Sequence, residues 1–145
     1  MLRIKFLKTH PNAKLPTYGD IDSLNLDFYA IEDTFIASGD TQVIPLGLKA
    51  ILPKGYGFVF SERSGLASKG IIIGAGQIDN GYRNEWKVVV RCLQSIFSSS
   101  AGYQIKTGDR IVQGRLVKMI STYIKEISEY EFSFNNSRGE AGFGS

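Results

Sequence analysis

Ile71-Ile72-Ile73-Gly74-Ala75-Gly76-Gln77-Ile78-Asp79-Asn80-Gly81-Tyr82-Arg83-Asn84-Glu85-Trp86-Lys87-Val88-Val89-Val90 decides the fold. Two apolar β-branched runs flank a segment rich in glycine and polar residues, which predicts a tight glycine-assisted hairpin between two strands. Its tip carries a carboxylate, Asp79, and an aromatic ring, Tyr82. Glycines at 74, 76 and 81 allow a planar ligand close to backbone N–H and C=O groups, so the tip is a candidate slot.

The pattern repeats along the chain. Strand-like segments run over 2–8, 26–31, 43–52, 56–60, 71–73, 86–93, 103–106 and 111–120. They alternate apolar and polar residues or form short apolar runs, and Gly, Pro, Ser, Asn and Asp separate them. No segment sustains a helical period, apart from a single turn expected after Arg63, with Ser64 near its start and Gly70 as its stop. Many short strands with frequent turns predict an all-β sandwich or barrel.

The chain has 145 residues, enough for a single domain with its own core. Its lone cysteine, Cys92, falls in an apolar strand pattern and is expected to be a buried hydrophobe. The first residues, Met1 to Phe6, alternate apolar and basic side chains, unlike a signal peptide, and no apolar run reaches membrane-spanning length. These features lead to the expectation of a soluble, cytoplasmic or otherwise intracellular protein with no membrane partner. Seventeen basic and 14 acidic residues leave a net charge of +3, scattered along the chain, which does not favour stable nucleic-acid binding. The single histidine, His10, has no Cys or His cluster around it to hold zinc.

Arg63-Ser64-Gly65 at the start of a helical turn brings a guanidinium, a hydroxyl and backbone N–H groups together, a combination suited to an anion. Asp27 lies among apolar neighbours, where a carboxylate needs an arginine or a hydrated metal ion. In Gly108-Asp109-Arg110-Ile111-Val112-Gln113, alternation puts Asp109, Ile111, Gln113 and Arg115 on one side, and Gln113 offers an uncharged amide donor. Residues 135–145 form a Gly-rich polar tail holding Arg138 and Phe143, the composition of a mobile arm able to wrap phosphate oxygens and stack on a base.

Gly76 to Arg83 resembles the third of five sequence motifs of the trimeric dUTP diphosphatases. The other four have counterparts in the same order: Leu26 to Ala30, Arg63 to Ala67, Gly108 to Gln113, and Arg138 to Ser145. The resemblance spans nearly the whole chain. It implies a jelly-roll-like subunit over 1–134, a flexible arm over 135–145 that closes the site, and a three-fold homotrimer whose sites are shared between subunits. It also implies hydrolysis of dUTP to dUMP and pyrophosphate with Mg²⁺. By the same resemblance, Asp79 activates water, Gly76 and Ile78 present backbone to uracil, and Tyr82 packs under the sugar. Arg63, Ser64, Gly65 and Gln113 hold phosphates, Arg138, Gly142, Phe143, Gly144 and Ser145 close over the substrate, and Asp27 supports the site. Mg²⁺ is then held mainly by substrate phosphates, with Asp27 as a water-mediated contact.

This sequence departs from the pattern at Glu62, where proline is common, and at Gln77, Gly81, Asn84 and Ala141. Ala141 replaces an arm glycine, so a weaker grip on the γ-phosphate is expected. A dCTP deaminase shares an Ile-Asp-x-Gly motif, but its catalytic glutamate aligns with Val89, which cannot move a proton. A nucleotide-binding regulatory module is the third alternative, and no unusual insertion supports it.

Overall fold

The structure is a computed structural model that describes residues 1–94 and 101–133. Its strands form small antiparallel sheets wrapped round one core. In the largest, β2 (Thr17–Tyr18), β3 (Leu26–Tyr29), β12 (Arg110–Lys118), β7 (Tyr56–Ser61) and β9 (Gln77–Ile78) lie in that order. A second sheet orders β5 (Thr41–Pro45), β10 (Lys87–Cys92) and β8 (Ile71–Gly74). Two pairs complete the shell: β1 (Lys5–Lys8) with β6 (Leu48–Ile51), and β4 (Thr34–Ala37) with β11 (Gly102–Ile105). Two four-residue helices, α1 (Ser64–Ala67) and α2 (Glu129–Phe132), are the only helices among the described residues. The all-β, jelly-roll-like expectation holds.

An aromatic cluster fills the centre. Phe28, Phe58, Phe60 and Trp86 are buried, with Phe28 meeting Phe60 edge-on at 5.0 Å and Trp86 lying 4.9 Å from Phe58. Such contacts add roughly 0.5–1.5 kcal/mol each beyond area burial. Trp86 also ties elements together through its backbone: its N–H donates to Leu48 O at 2.7 Å, and its C=O accepts from Leu46 N at 3.0 Å. Cys92 is fully buried, as its apolar setting predicts.

Three local expectations need correction. The segment 43–52 is not one strand: Gly47 breaks it into β5 and β6, with φ +65° and a hypothetical Cβ only 2.9 Å from Ala13 Cβ. The chain turns there from one sheet to another. The tight hairpin is also opened out. β8 and β10 do pair antiparallel, with Gly74 opposite Val89, but between them β9 leaves to pair with β7, placing Ile78 opposite Phe58. A bulge between Arg110 and Val112 buries both Ile111 and Val112, so Ile111 does not share a face with Gln113 and exposed Arg115. The helical turn is as expected: Ser64 is the first residue of α1, with Arg63 as its N-cap at φ −89° and ψ 130°, and Gly70 ends the turn at φ +78°.

Strands β2, β4 and β9 and helix α2 were not anticipated. A Ser128-x-x-Glu131 capping box marks α2 in the sequence. Past Lys118 the described chain adds no strand, and residues 119–133 are all exposed. No helix among the described residues is long and apolar enough to cross a membrane.

Candidate active site

The turn between β7 and α1 is held by three different strands. From β3, Asp27, only 7% exposed, accepts from Arg63 Nε at 2.8 Å and from Arg110 Nη1 at 3.3 Å. The arginine contact that a carboxylate in apolar surroundings demands is thus supplied twice. Both Asp27 oxygens face guanidinium groups, so its support of the site runs through arginine. Arg63 Nη1 also donates to Arg110 O at 3.2 Å, and the other guanidinium N–H groups are not used in these two bonds. From β12, Gln113 Nε2 donates to Glu62 O at 2.7 Å, spending one of its two amide hydrogens. From β8, Ile73 N donates to Glu62 Oε1 at 3.3 Å, which turns that carboxylate toward the strand.

A cavity of about 310 Å³ opens beside this turn, lined in part by Arg63, Gly65, Lys69, Tyr103 and Arg110. Lys69 Nζ stands 5.9 Å from the Tyr103 ring centroid. Ser64 is exposed at the first residue of α1. Three cationic side chains against the one carboxylate of Asp109 around this opening suit a polyanion.

Asp79 lies on a bend beyond β9, at a second cavity of about 170 Å³ lined by Ala75, Gln77, Ile78, Asp79, Tyr82, Trp86 and Lys87. The bend is closed by Tyr82 N donating to Asp79 O at 3.1 Å. The Tyr82 hydroxyl donates to Glu85 O at 3.2 Å, which fixes its ring along the cavity wall. Arg83 Nη1 braces the tip by donating to Asn80 O at 2.6 Å and Tyr82 O at 3.0 Å. Gly76 is demanded by packing: its C=O accepts from Phe60 N at 2.7 Å, and a Cβ would come within 2.9 Å of Phe60 O. The left-handed residue of this loop is Ala75, at φ 50°.

The predicted residues therefore fall into two groups. Arg63, Gly65, Gln113 and Asp27 surround the cationic turn, whereas Ile78, Asp79 and Tyr82 surround the bend, and no residue lines both cavities. Arg138, Gly142, Phe143, Gly144, Ser145 and Ala141 lie outside the described residues. Among the described residues, no group of three or more His, Cys, Asp or Glu side chains is placed to hold a metal ion. Sequence reasoning gave no site role to Arg110, Lys69, Asn80 or Lys87. Arg110 had a signal, since a carboxylate as enclosed as Asp27 needs more than one donor.

Comparison with solved structures defines the fold. Staphylococcus bacteriophage 80alpha dUTPase, solved with dUpNHpp, superposes with a TM-score of 0.86 over 98% of this chain and 96% of its own, at 24% identity. A mutant dUTPase from phage phi11 of S. aureus, described as coordinating a structural Mg(II) ion, has a TM-score of 0.79 at 22% identity, over 90% of this chain and 99% of its own. These likenesses establish the fold. A dUTPase family profile matches residues 11–145. A deoxyuridine 5'-triphosphate nucleotidohydrolase of Helicobacter pylori (strain Shi470) is 36% identical over 99% of this chain and 96% of its own. The Candida albicans (strain SC5314) enzyme of the same name is 40% identical over 98% of this chain and 86% of its own. The chain belongs to the dUTPase family, the dUTP diphosphatases.

Proposed function

We propose that Asp79 is the general base of this dUTP diphosphatase. Its carboxylate takes a proton from water as the water oxygen bonds to the α-phosphorus. The bond from that phosphorus to the α,β-bridging oxygen breaks, and pyrophosphate leaves with dUMP as the other product. The observation that carries this reading is the exposed Asp79 carboxylate at the mouth of a cavity walled by Ile78 and by a hydroxyl-anchored Tyr82. In this reading the backbone near Ile78 and, by the family resemblance, Gly76 meets uracil, and the Tyr82 ring lies beneath a deoxyribose.

The cationic turn takes the triphosphate. Arg63 is oriented by Asp27, the second amide hydrogen of Gln113 remains for a phosphate oxygen, and Ser64 and Gly65 offer a hydroxyl and backbone N–H. Mg²⁺ fits this donor set only as a phosphate-bound ion, since no protein cage exists among the described residues and Asp27 is committed to arginine. When bound, it would neutralise phosphate charge. Arg138 and Gly142 to Ser145 complete the enclosure as an arm.

The active species is a homotrimer with shared sites. Two features support this: the base-side and phosphate-side groups line separate cavities in one chain, and residues 119–133 expose Tyr123 at 92% and Ile124 at 89%, apolar area that seeks cover on another subunit.

Asp79→Asn tests the proposal. Turnover of dUTP should fall by ~10²–10⁴-fold while dUTP binding persists. Near-normal pyrophosphate release would reject the assignment. Ammonia release from dCTP would point to deaminase chemistry, and tight dUTP binding without turnover in the unmodified chain would point to a regulatory module.

A further inference from the structure

We propose that Asn80 is the positioning residue of Asp79, an inference that rests on the general-base reading above. Among the described residues, no side chain hydrogen-bonds the Asp79 carboxylate, so its direction is set by the backbone of the bend. That backbone is anchored by its neighbour. Asn80 Nδ2 donates to Tyr56 O at 2.7 Å and to Pro53 O at 2.8 Å, and both acceptors are carbonyls, so only the amide nitrogen can face them. Both hydrogens of one half-buried amide group are thus spent on a single turn.

The turn is rigid in its own right. Tyr56 N donates across it to Pro53 O at 3.2 Å, and Met119 N, just past β12, donates to Gly55 O at 2.8 Å. Asn80 therefore fastens the bend to a tie between β7 and β12, the central strands of the largest sheet. Its main chain is held as well, since its own C=O accepts from Arg83 Nη1 at 2.6 Å. Serine or alanine at position 80 would still permit the bend but could not span both carbonyls. The clasp acts on the reacting geometry because a general base must meet its water within hydrogen-bond reach.

Asn80→Ala removes both donors, and Asn80→Ser keeps a single short donor as a milder second variant. Once circular dichroism has established that both variants fold, steady-state kinetics with dUTP should give a kcat lowered roughly tenfold for alanine and less for serine, because small misplacements of a reacting group are costly. KM should rise by a smaller factor than kcat falls, since the phosphate-side groups lie on other elements and only the nucleoside contacts share the bend. A fall in thermal midpoint with kcat unchanged would make Asn80 a purely structural anchor and overturn the proposal, as would a rise in KM alone. If the unmodified chain releases no pyrophosphate, the Asp79 reading falls and this one with it. If the unmodified chain is active and Asn80→Ala matches it, only the Asn80 proposal falls.

Discussion

Arg63 Nε donates to Asp27 Oδ1 at 2.8 Å, so the guanidinium at the mouth of the cationic cavity is aimed by a carboxylate that is itself enclosed in the core. The Asp27 side chain is 10% exposed, so this bond is shielded from the screening that makes surface pairs nearly worthless. Arg110, at 49% exposed, contributes less. Asp27→Asn should cost about 1.5–3 kcal/mol in urea unfolding, the range for a charged hydrogen bond. It should also raise KM for dUTP as Arg63 loses its aim. An unchanged unfolding midpoint would show the pair to be idle.

Tyr82 is held by its hydroxyl on Glu85 O at 3.2 Å, which makes its ring a fixed wall of the cavity beside Asp79, the proposed nucleoside site. Tyr82→Ala should raise kcat/KM for UTP relative to dUTP by roughly tenfold to a hundredfold, the scale of discrimination a shaped apolar pocket achieves. Tyr82→Phe removes only the anchor and should keep most of the discrimination. If the alanine variant still rejects UTP, the ribose gate lies elsewhere.

Shared sites predict complementation. Chains truncated before residue 135 and chains carrying Asp79→Asn should each be inactive alone, and unfolding and refolding them together should restore a measurable fraction of dUTP turnover. Mixed oligomers with no recovered activity would mean that each chain builds its own site.

Asp33 supplies a pH-dependent hold on the turn leading to Arg110. Thr107 N donates to Asp33 Oδ1 at 2.8 Å, Thr107 Oγ1 at 3.0 Å, and Lys106 Nζ lies 3.3 Å from Oδ2. Led by the Thr107 backbone bond, these contacts hold its pKa below the ordinary 3.8. A depressed carboxylate stabilises the fold above its unfolded pKa and loses that contribution as pH falls through the folded value. Asp33→Asn should therefore lower the thermal midpoint at pH 7, and the gap from the unmodified chain should close below pH 3.8. A gap that persists at the acid end would show that charge is not the cause.

The all-β class, and the residues proposed to carry the chemistry, were legible in the sequence because both are local. Alternation identifies a strand within a few residues, and Arg63-Ser64-Gly65 and Ile78-Asp79 carry their functional groups wherever the chain goes. Asp27 in an apolar run even announced its need for a cation, because an unpaired charge there is too costly to survive folding. Only the tertiary structure decided which partner met that need, since Arg63 and Arg110 lie 36 and 83 residues away. It alone revealed that the expected hairpin opens to send β9 across to β7, a choice made by edge pairing between distant strands. The role of Asn80 was hidden for the same reason: an amide beside an aspartate looks like an ordinary turn residue until the carbonyls of Pro53 and Tyr56 are folded against it.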